Sequence, residues 1–114
     1  MASRGLRKNR QFRTVYSRGE REIGNKVVIC YLREGDEGIL PGFVASKKIG
    51  KATKRNRAKR LMREIFRQLE HRITEEHLWI VFIASFRPED TKYGELFEDI
   101  ESSMKRAGLI STNG

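Results

Sequence analysis

The sequence is short of the residues that cross-link a chain or anchor it in a membrane. Its 114 residues contain one cysteine, Cys30, and two prolines. A lone cysteine excludes an internal disulfide and a cysteine-rich zinc site, and it fits a reducing compartment. The longest apolar run, Leu78–Ala84, is far below the ~20 residues that a membrane-spanning helix needs. We therefore expect a single cytoplasmic domain over residues 1–114, without a membrane partner.

The sequence also lacks the residue patterns of a catalytic or metal site. Glu75 and Glu76 lie between its two histidines, His71 and His77, but no further ligand stands at metal-binding spacing. No Ser-His-Asp set, phosphate-binding glycine-rich loop or paired-acid motif is present. We therefore predict no catalytic residue, no metal ligand and no cofactor bound by the protein alone.

What the sequence has in excess is positive charge, concentrated in one segment. The net charge is +9, and residues 47–63 carry nine lysines or arginines and no acid. Residues 64–114, in contrast, hold six basic and ten acidic residues. Charge concentrated in this way repels itself, and a polyanion relieves the repulsion. One face of the protein is therefore expected to meet a nucleic acid.

Hydrophobic periodicity and β-branched runs predict three helices, with two or three strands between the first and second and one strand between the second and third. The helices are expected at about 9–17, 53–71 and 91–107, and the strands at 26–33, 39–46 and 78–85. Asn9 is expected to cap the first helix, Gly19 to end it in the left-handed conformation, and Gly108 to end the last helix. Pro41 should place the start of the second strand at a sheet edge or a bulge. This order predicts an α+β or α/β sandwich with flexible ends at 1–8 and 109–114.

The second predicted helix separates apolar and basic residues on opposite arcs. Its apolar arc consists of Ala58, Leu61, Met62, Ile65, Phe66 and Leu69. Its other arc carries Asn56, Lys59, Arg60 and Arg63 at i, i+3, i+4 and i+7. A plain solvated face mixes charge signs, but the only acid between Gly38 and Gln68 is Glu64. We therefore favour a phosphate-binding plate, extended by Lys47, Lys48, Lys51, Lys54, Arg55 and Arg57.

Two aromatic residues, Phe12 and Tyr16, lie one turn apart on the first predicted helix, beside Arg13. They can edge a groove for unstacked bases, with Tyr31 or Phe43 as further platforms. They can equally dock the helix on the sheet, and the pattern alone favours docking.

Four short motifs stand close together within residues 46–66: Ser46-Lys47-Lys48-Ile49-Gly50, Lys54-Arg55-Asn56-Arg57, Lys59-Arg60 and Arg63-Glu64-Ile65-Phe66. Phe12, Tyr16 and Gly19 add an aromatic helix closed by glycine. In these motifs the chain closely resembles the protein subunit of bacterial ribonuclease P, over about residues 4–107.

The resemblance implies a ribonucleoprotein in which the RNA carries the active site. That complex cleaves the 5′ leader from precursor transfer RNA and requires Mg²⁺, so the implied partners are the catalytic RNA and precursor tRNA. The implied fold is an α+β, single-domain, two-layer sandwich. It has a four-stranded sheet and three helices in the order α-β-β-β-α-β-α, with a left-handed βαβ crossover.

The resemblance also implies two sets of site residues. The set that binds the catalytic RNA is Lys51, Lys54, Arg55, Asn56, Arg57, Lys59, Arg60 and Arg63. The set that binds the leader is Phe12, Arg13, Tyr16, Ser46, Lys47 and Lys48, so the match favours the groove role of the aromatic pair. Cys30 stands where many members have an aromatic residue in the cleft, and Arg87 stands beyond the family's usual basic position.

A non-enzymatic RNA-binding module, such as a ribosomal or assembly protein, is the alternative, because it shares the size and charge. The closely spaced motifs of residues 46–66 separate the two readings. A metal-dependent nuclease acting alone would need clustered acids that the sequence lacks. DNA binding lacks the spacing of a helix-turn-helix.

Overall fold

Residues 5–111 are described by a computed structural model, in which three α-helices pack on a four-stranded sheet. The helices are α1 (Asn9–Arg18), α2 (Ala52–Leu69) and α3 (Tyr93–Arg106). The strands are β1 (Glu20–Ile23), β2 (Val27–Leu32), β3 (Ile39–Val44) and β4 (Leu78–Ala84). Short 3-10 turns cover Lys47–Ile49, Glu70–Arg72 and Pro88–Asp90. The α+β fold and its α-β-β-β-α-β-α order are confirmed.

The sheet has the strand order β1-β2-β4-β3. β2 runs antiparallel to β1 and β4, whereas β3 runs parallel to β4 and is joined to it through α2. The predicted βαβ unit is therefore present, and its left hand stays a prediction from the resemblance. Pro41 lies on the edge strand β3, as expected, and its carbonyl oxygen accepts a hydrogen bond from the Leu6 N–H (2.9 Å).

The two faces of the sheet carry separate apolar clusters. On one face, Phe82 and alternate residues of the sheet pack against the apolar arcs of α2 and α3. On the opposite face, Val81 and Cys30 pack against Val15 of α1. The sandwich of sheet and two helices thus gains a partial third layer, because α1 covers part of the other face.

The residues alone gave ranges for three strands and left a further strand before α2 open; β1 is that strand. Its sequence, Glu-Arg-Glu-Ile, is mostly exposed and offers no apolar alternation. It pairs through its backbone with β2, where Arg21 lies opposite Cys30. The resemblance was what made the fourth strand a definite expectation.

The predicted N-cap of α1 is wrong, and Gly19 ends α1 as expected but not in the left-handed conformation, whereas the glycine at the end of α3 is confirmed. Asn9 lies inside α1, and the Gln11 side-chain oxygen accepts the N–H groups of Arg7 (2.9 Å) and Lys8 (3.0 Å) instead. Gly19 is extended, with φ −84°, but a Cβ there would collide with the carbonyl oxygen of Tyr31. Gly19 is thus needed for close approach and not for a left-handed turn. Gly108 does adopt φ +74° after α3.

Three residues of the ends that we expected to be flexible are packed into the fold. Leu6 is 8% exposed, and Leu109 and Ile110 are 0% and 3% exposed. Gly108 reverses the chain direction, so that Ile110 forms a β-bridge with Ile73. Leu109 and Ile110 are thereby buried in the core. Residues 1–4 and 112–114 lie outside the described part of the chain.

Asp99 of α3 ties the β1–β2 turn to the helix layer. Its carboxylate accepts the backbone N–H groups of Asn25 (2.8 Å), Lys26 (2.8 Å) and Val27 (3.1 Å). We expect Asp99→Ala to lower the free energy of unfolding by about 1.5–3 kcal/mol, because these bonds involve a charged acceptor. Urea denaturation measures the loss, with Glu98→Ala, an exposed neighbour, as the control. Equal midpoints for the two variants would contradict this role.

Candidate nucleic-acid interface

The predicted basic arc forms on the solvent side of α2. Ala58, Met62, Ile65, Phe66 and Leu69 are buried, as predicted, and Leu61 is half-buried. Asn56, Arg57, Arg60 and Arg63 are exposed, and Arg55 and Lys59 are half-buried beside the apolar arc. At 100° per residue, Asn56, Lys59, Arg60 and Arg63 project from one side of the helix. Arg57 flanks that side, Lys54 lies in the first turn on the side of the apolar arc, and Lys51 precedes the helix.

Most cations of this arc have no acidic partner. Within residues 5–111, no carboxylate lies within salt-bridge distance of Lys51, Arg55, Arg57, Lys59, Arg60 or Arg63. Some cations elsewhere do have a carboxylate partner, as in Arg18–Glu34 (3.1 Å), Arg72–Glu101 (2.7 Å) and Arg106–Glu22 (3.0 Å). The arc on α2 is therefore a dense group of cations that the described part of the fold leaves mostly without ion pairs.

Lys54 is the exception within the predicted RNA-binding set. Its Nζ lies 2.9 Å from Oε2 of Glu89, on the 3-10 turn that follows β4. The Lys54 hydrogen bond is the main reason why the pKa of Glu89 is lowered from its ordinary value. The side chain of Lys54 also runs past Gly50, where φ is +135° and a Cβ would lie 3.0 Å from Cδ of Lys54. Through these contacts, Lys54 holds the first turn of α2 against Glu89 and Gly50.

The segment between β3 and α2 is a turn, which shortens the predicted strand. β3 ends at Val44, and Ser46 Oγ accepts the N–H of Lys48 (3.3 Å) to begin the 3-10 turn. Buried Ile49 anchors the turn, and Lys47 and Lys48 are exposed. The three predicted leader residues of this segment therefore stand between β3 and α2.

A shallow groove of about 480 Å³ lies beside α1, and three of the predicted leader residues line it. Its lining consists of Asn9, Phe12, Arg13, Tyr16 and Val44. Ser46, Lys47 and Lys48 are not part of this lining; they follow Val44 in the chain. Asn9 and Val44 were not predicted to line the groove. Asn9 lies three residues before Phe12 on the helix, and Val44 lies two residues after Gly42 on the strand, so both spacings were available signals.

Docking and groove lining are divided among the residues of α1. Val15 is 1% exposed and holds the helix on the sheet, whereas Tyr16 is 43% exposed. Phe12 is half-buried, with its ring centroid 6.4 Å from that of Tyr16. A Cβ on Gly42 would lie 2.6 Å from the Phe12 ring, so this ring rests directly on the β3 backbone. Partial burial, and secondarily Cys30, raise the pKa of Tyr16.

Tyr31 and Phe43 are not platforms of this groove, which corrects that expectation. Both side chains belong to the cluster on the α2 side of the sheet. Phe43 stacks on Phe82 with 5.4 Å between ring centroids. Cys30 does face α1, as a buried residue of the smaller cluster. Both faces of β2 and β3 are covered, so their residues show no clear apolar–polar alternation from which to assign sides.

Three further expectations concern Arg87, metals and membranes. Arg87 is exposed at the start of the turn Pro88–Asp90 and is absent from the groove lining. Across residues 5–111, no group of three or more His, Cys, Asp or Glu side chains is placed to hold a metal ion. No helix in the same range is long and apolar enough to cross a membrane.

The Lys54–Glu89 pair makes a testable electrostatic prediction. Since the pKa of Glu89 is lowered in the folded state, the pair stabilises the fold above the ordinary carboxylate pKa. That contribution is lost as the pH falls through the lowered pKa. NMR titration of the Glu89 carboxyl carbon should show the lowered pKa, and Lys54→Met should return it towards the ordinary value. Lys51→Met is the matched control; equal titration curves for the two variants would refute the assignment.

Comparison with known proteins identifies the family. A model of the family described as Ribonuclease P matches residues 1–108. The Ribonuclease P protein component of Alkaliphilus metalliredigens is 38% identical over 107 residues, covering 93% of this chain and 95% of that protein. A solved RNase P protein from Staphylococcus aureus has a TM-score of 0.83 at 24% identity, covering 96% of this chain and 100% of that one. The RNase P protein from Thermotoga maritima has a TM-score of 0.78 at 29% identity, covering 91% and 97%. With residues 1–108 matched, this chain belongs to the ribonuclease P protein family.

Proposed function

We propose that this protein is the RNA-binding subunit of a ribonuclease P that removes the 5′ leader of precursor tRNA in the cytoplasm. The reaction is hydrolysis of a phosphodiester that leaves a 5′ phosphate on the mature tRNA. The observation that carries the proposal is the arc of unpaired cations on α2, in a chain of this family. The protein binds and orients RNA, and the catalytic RNA performs the cleavage.

The arc on α2 supports contact with the catalytic RNA. Arginine offers a planar fork that bonds two phosphate oxygens, and Arg57, Arg60 and Arg63 present three such forks to solvent. Because these side chains have no acidic partner among residues 5–111, RNA displaces only counterions when it binds. Lys51, Lys54, Arg55, Asn56 and Lys59 widen the same surface.

The groove beside α1 supports contact with the single-stranded leader. The exposed ring of Tyr16 can stack on a base, and Arg13 stands beside it for a phosphate. Ser46, Lys47 and Lys48 continue from Val44 at the groove towards α2. A leader lying in the groove would therefore pass from Tyr16 to the cationic arc without crossing an acidic surface.

Magnesium belongs to the RNA in this proposal. We assign no Mg²⁺ ligand to the protein. When bound in the complex, Mg²⁺ supplies the chemistry that activates water and stabilises the leaving oxygen. The protein contributes cations that offset the repulsion between leader and catalytic RNA.

Cleavage of a 5′-extended precursor tRNA tests this function. A bacterial ribonuclease P RNA is assayed at low Mg²⁺ with and without the protein, and the protein is assayed alone. Restored cleavage at the mature 5′ end, with no activity of the protein alone, is expected. RNA binding without stimulation would favour a ribosomal or assembly role, and cleavage without RNA would overturn the division of labour.

Removing two arginines from α2 should change the salt dependence of binding to the catalytic RNA. Arg57→Ala with Arg60→Ala is expected to weaken binding to the catalytic RNA. The slope of log affinity against log salt should flatten by about 0.7–0.9 per lost phosphate contact. Filter binding from low to high salt measures this slope. Arg21→Ala with Lys105→Ala removes the same charge from β1 and α3 and should leave the slope unchanged; equal slopes for both pairs would count against the α2 arc.

Tyr16 should discriminate between substrates with and without a leader. Tyr16→Ala is expected to weaken binding of precursor tRNA by about 1–3 kcal/mol, the value of one stacked base, and to spare mature tRNA. Affinities of the assembled complex for both RNAs measure this difference. Tyr93→Ala, which removes a comparably exposed ring from α3, is the control. Equal losses for both RNAs would assign Tyr16 to folding.

A further inference from the structure

Another cavity, here called the edge cavity, lies at the free edge of β3, outside the groove beside α1. It measures about 300 Å³, at the lower end of the roughly 300–1,000 Å³ of small-ligand sites. One wall is the segment 5–7, the floor is β3 at residues 41–43, and the other wall is α2. The ring of Phe12 lines both this cavity and the groove.

Cations from two directions converge on this edge cavity. Lys59, Arg63 and Arg67 lie at i, i+4 and i+8 along one ridge of α2, and Arg7 faces them from the N-terminal segment. Within residues 5–111 none of the four has a carboxylate at salt-bridge distance. The one acid of the lining, Glu70, stands one turn beyond Phe66. The cavity therefore favours an anion.

Two stacked aromatic rings and an arginine form a column that extends from the core to the cavity. Phe82 and Phe43 stack with an interplanar angle of 13°, and the guanidinium of Arg63 lies 5.3 Å from the Phe43 ring centroid. Nucleobases stack on guanidinium planes as they do on aromatic rings. A base placed against Arg63 would be the next layer of this stack.

The edge strand adds hydrogen-bonding groups to the floor. The Pro41 carbonyl points away from β4, since it accepts the Leu6 N–H. Because outward groups alternate along a strand, the N–H and C=O of Phe43 point the same way. They offer one donor and one acceptor to the edge of a planar ligand.

We propose that the edge cavity binds one nucleotide unit, with its base on Arg63 and its phosphate between Arg7 and Arg67. The nucleotide can belong to a single-stranded RNA or be free, since both present the same base and phosphate. The proposal does not rest on the assignment to tRNA maturation, because the binding is a property of the protein by itself.

The test uses the full-length protein without any partner RNA. Adenosine 5′-monophosphate, adenosine and a short oligoadenylate are titrated, and binding is followed by backbone-amide NMR shifts and by calorimetry. The monophosphate is expected to shift the amides of Phe43, Arg63 and Arg67, and to bind more tightly than adenosine. A much tighter oligoadenylate with the same shifts identifies RNA as the source, and equal affinities identify the free nucleotide.

Arg63→Lys is the decisive variant, because it keeps the charge and removes the stacking plane. We expect about tenfold weaker binding of the monophosphate, the order of one lost stacked base. The matched control is Arg33→Lys, which alters the other arginine–aromatic pair, Arg33 with Tyr31 at 5.6 Å, and should change nothing.

Arg67→Ala adds a readout that misfolding would not give. It should weaken binding of the monophosphate and leave that of adenosine unchanged. Shifts confined to Arg13 and Tyr16, or equal affinities for Arg63→Lys and Arg33→Lys, would overturn the proposal. Precursor cleavage is measured separately, so failure of the edge cavity leaves the proposed function standing, and the reverse also holds.

Discussion

The fold depends on burying β4 on both faces. This strand lies between β2 and β3, and Ile80, Val81 and Phe82 are all fully buried. A central strand with two apolar faces needs a cover on each, because exposed apolar surface costs about 25 cal/mol per Å². The arcs of α2 and α3 supply one cover, and α1 supplies part of the other. The partial cover leaves the groove beside α1, so the groove is a direct result of how the sheet is buried.

The same burial fixes the direction of the charge. Once Met62, Ile65 and Phe66 face the sheet, Asn56, Arg60 and Arg63 must face solvent, because both sets belong to one rigid helix. No acid within salt-bridge reach relieves their repulsion among the described residues, whereas Arg72 and Arg106 are paired elsewhere. The folded protein thus stores electrostatic repulsion on one surface, and association with a polyanion releases it.

Strong periodicity made most of the fold predictable. The apolar arc of α2, the buried run of β4 and the edge position of Pro41 each followed from local sequence. β1 did not, because its four residues pair through the backbone and carry charges. The residues predicted the cationic arc and the pair Phe12–Tyr16, but assigned Phe43 to the wrong face. The edge cavity forms only when segment 5–7 meets β3, a tertiary contact that no local pattern records.

Phe12 is the partition between two compartments. Its ring rests on the backbone at Gly42 and borders the groove on one side and the edge cavity on the other. A displacement of the ring that enlarges one space diminishes the other. Ligands in the groove and in the edge cavity would therefore both contact the Phe12 ring. If one ligand changes the binding free energy of the other, the second changes that of the first by the same amount. Because residue 42 has no side chain, the Phe12 ring rests on the backbone of β3 without being held there by a neighbouring side chain of that residue.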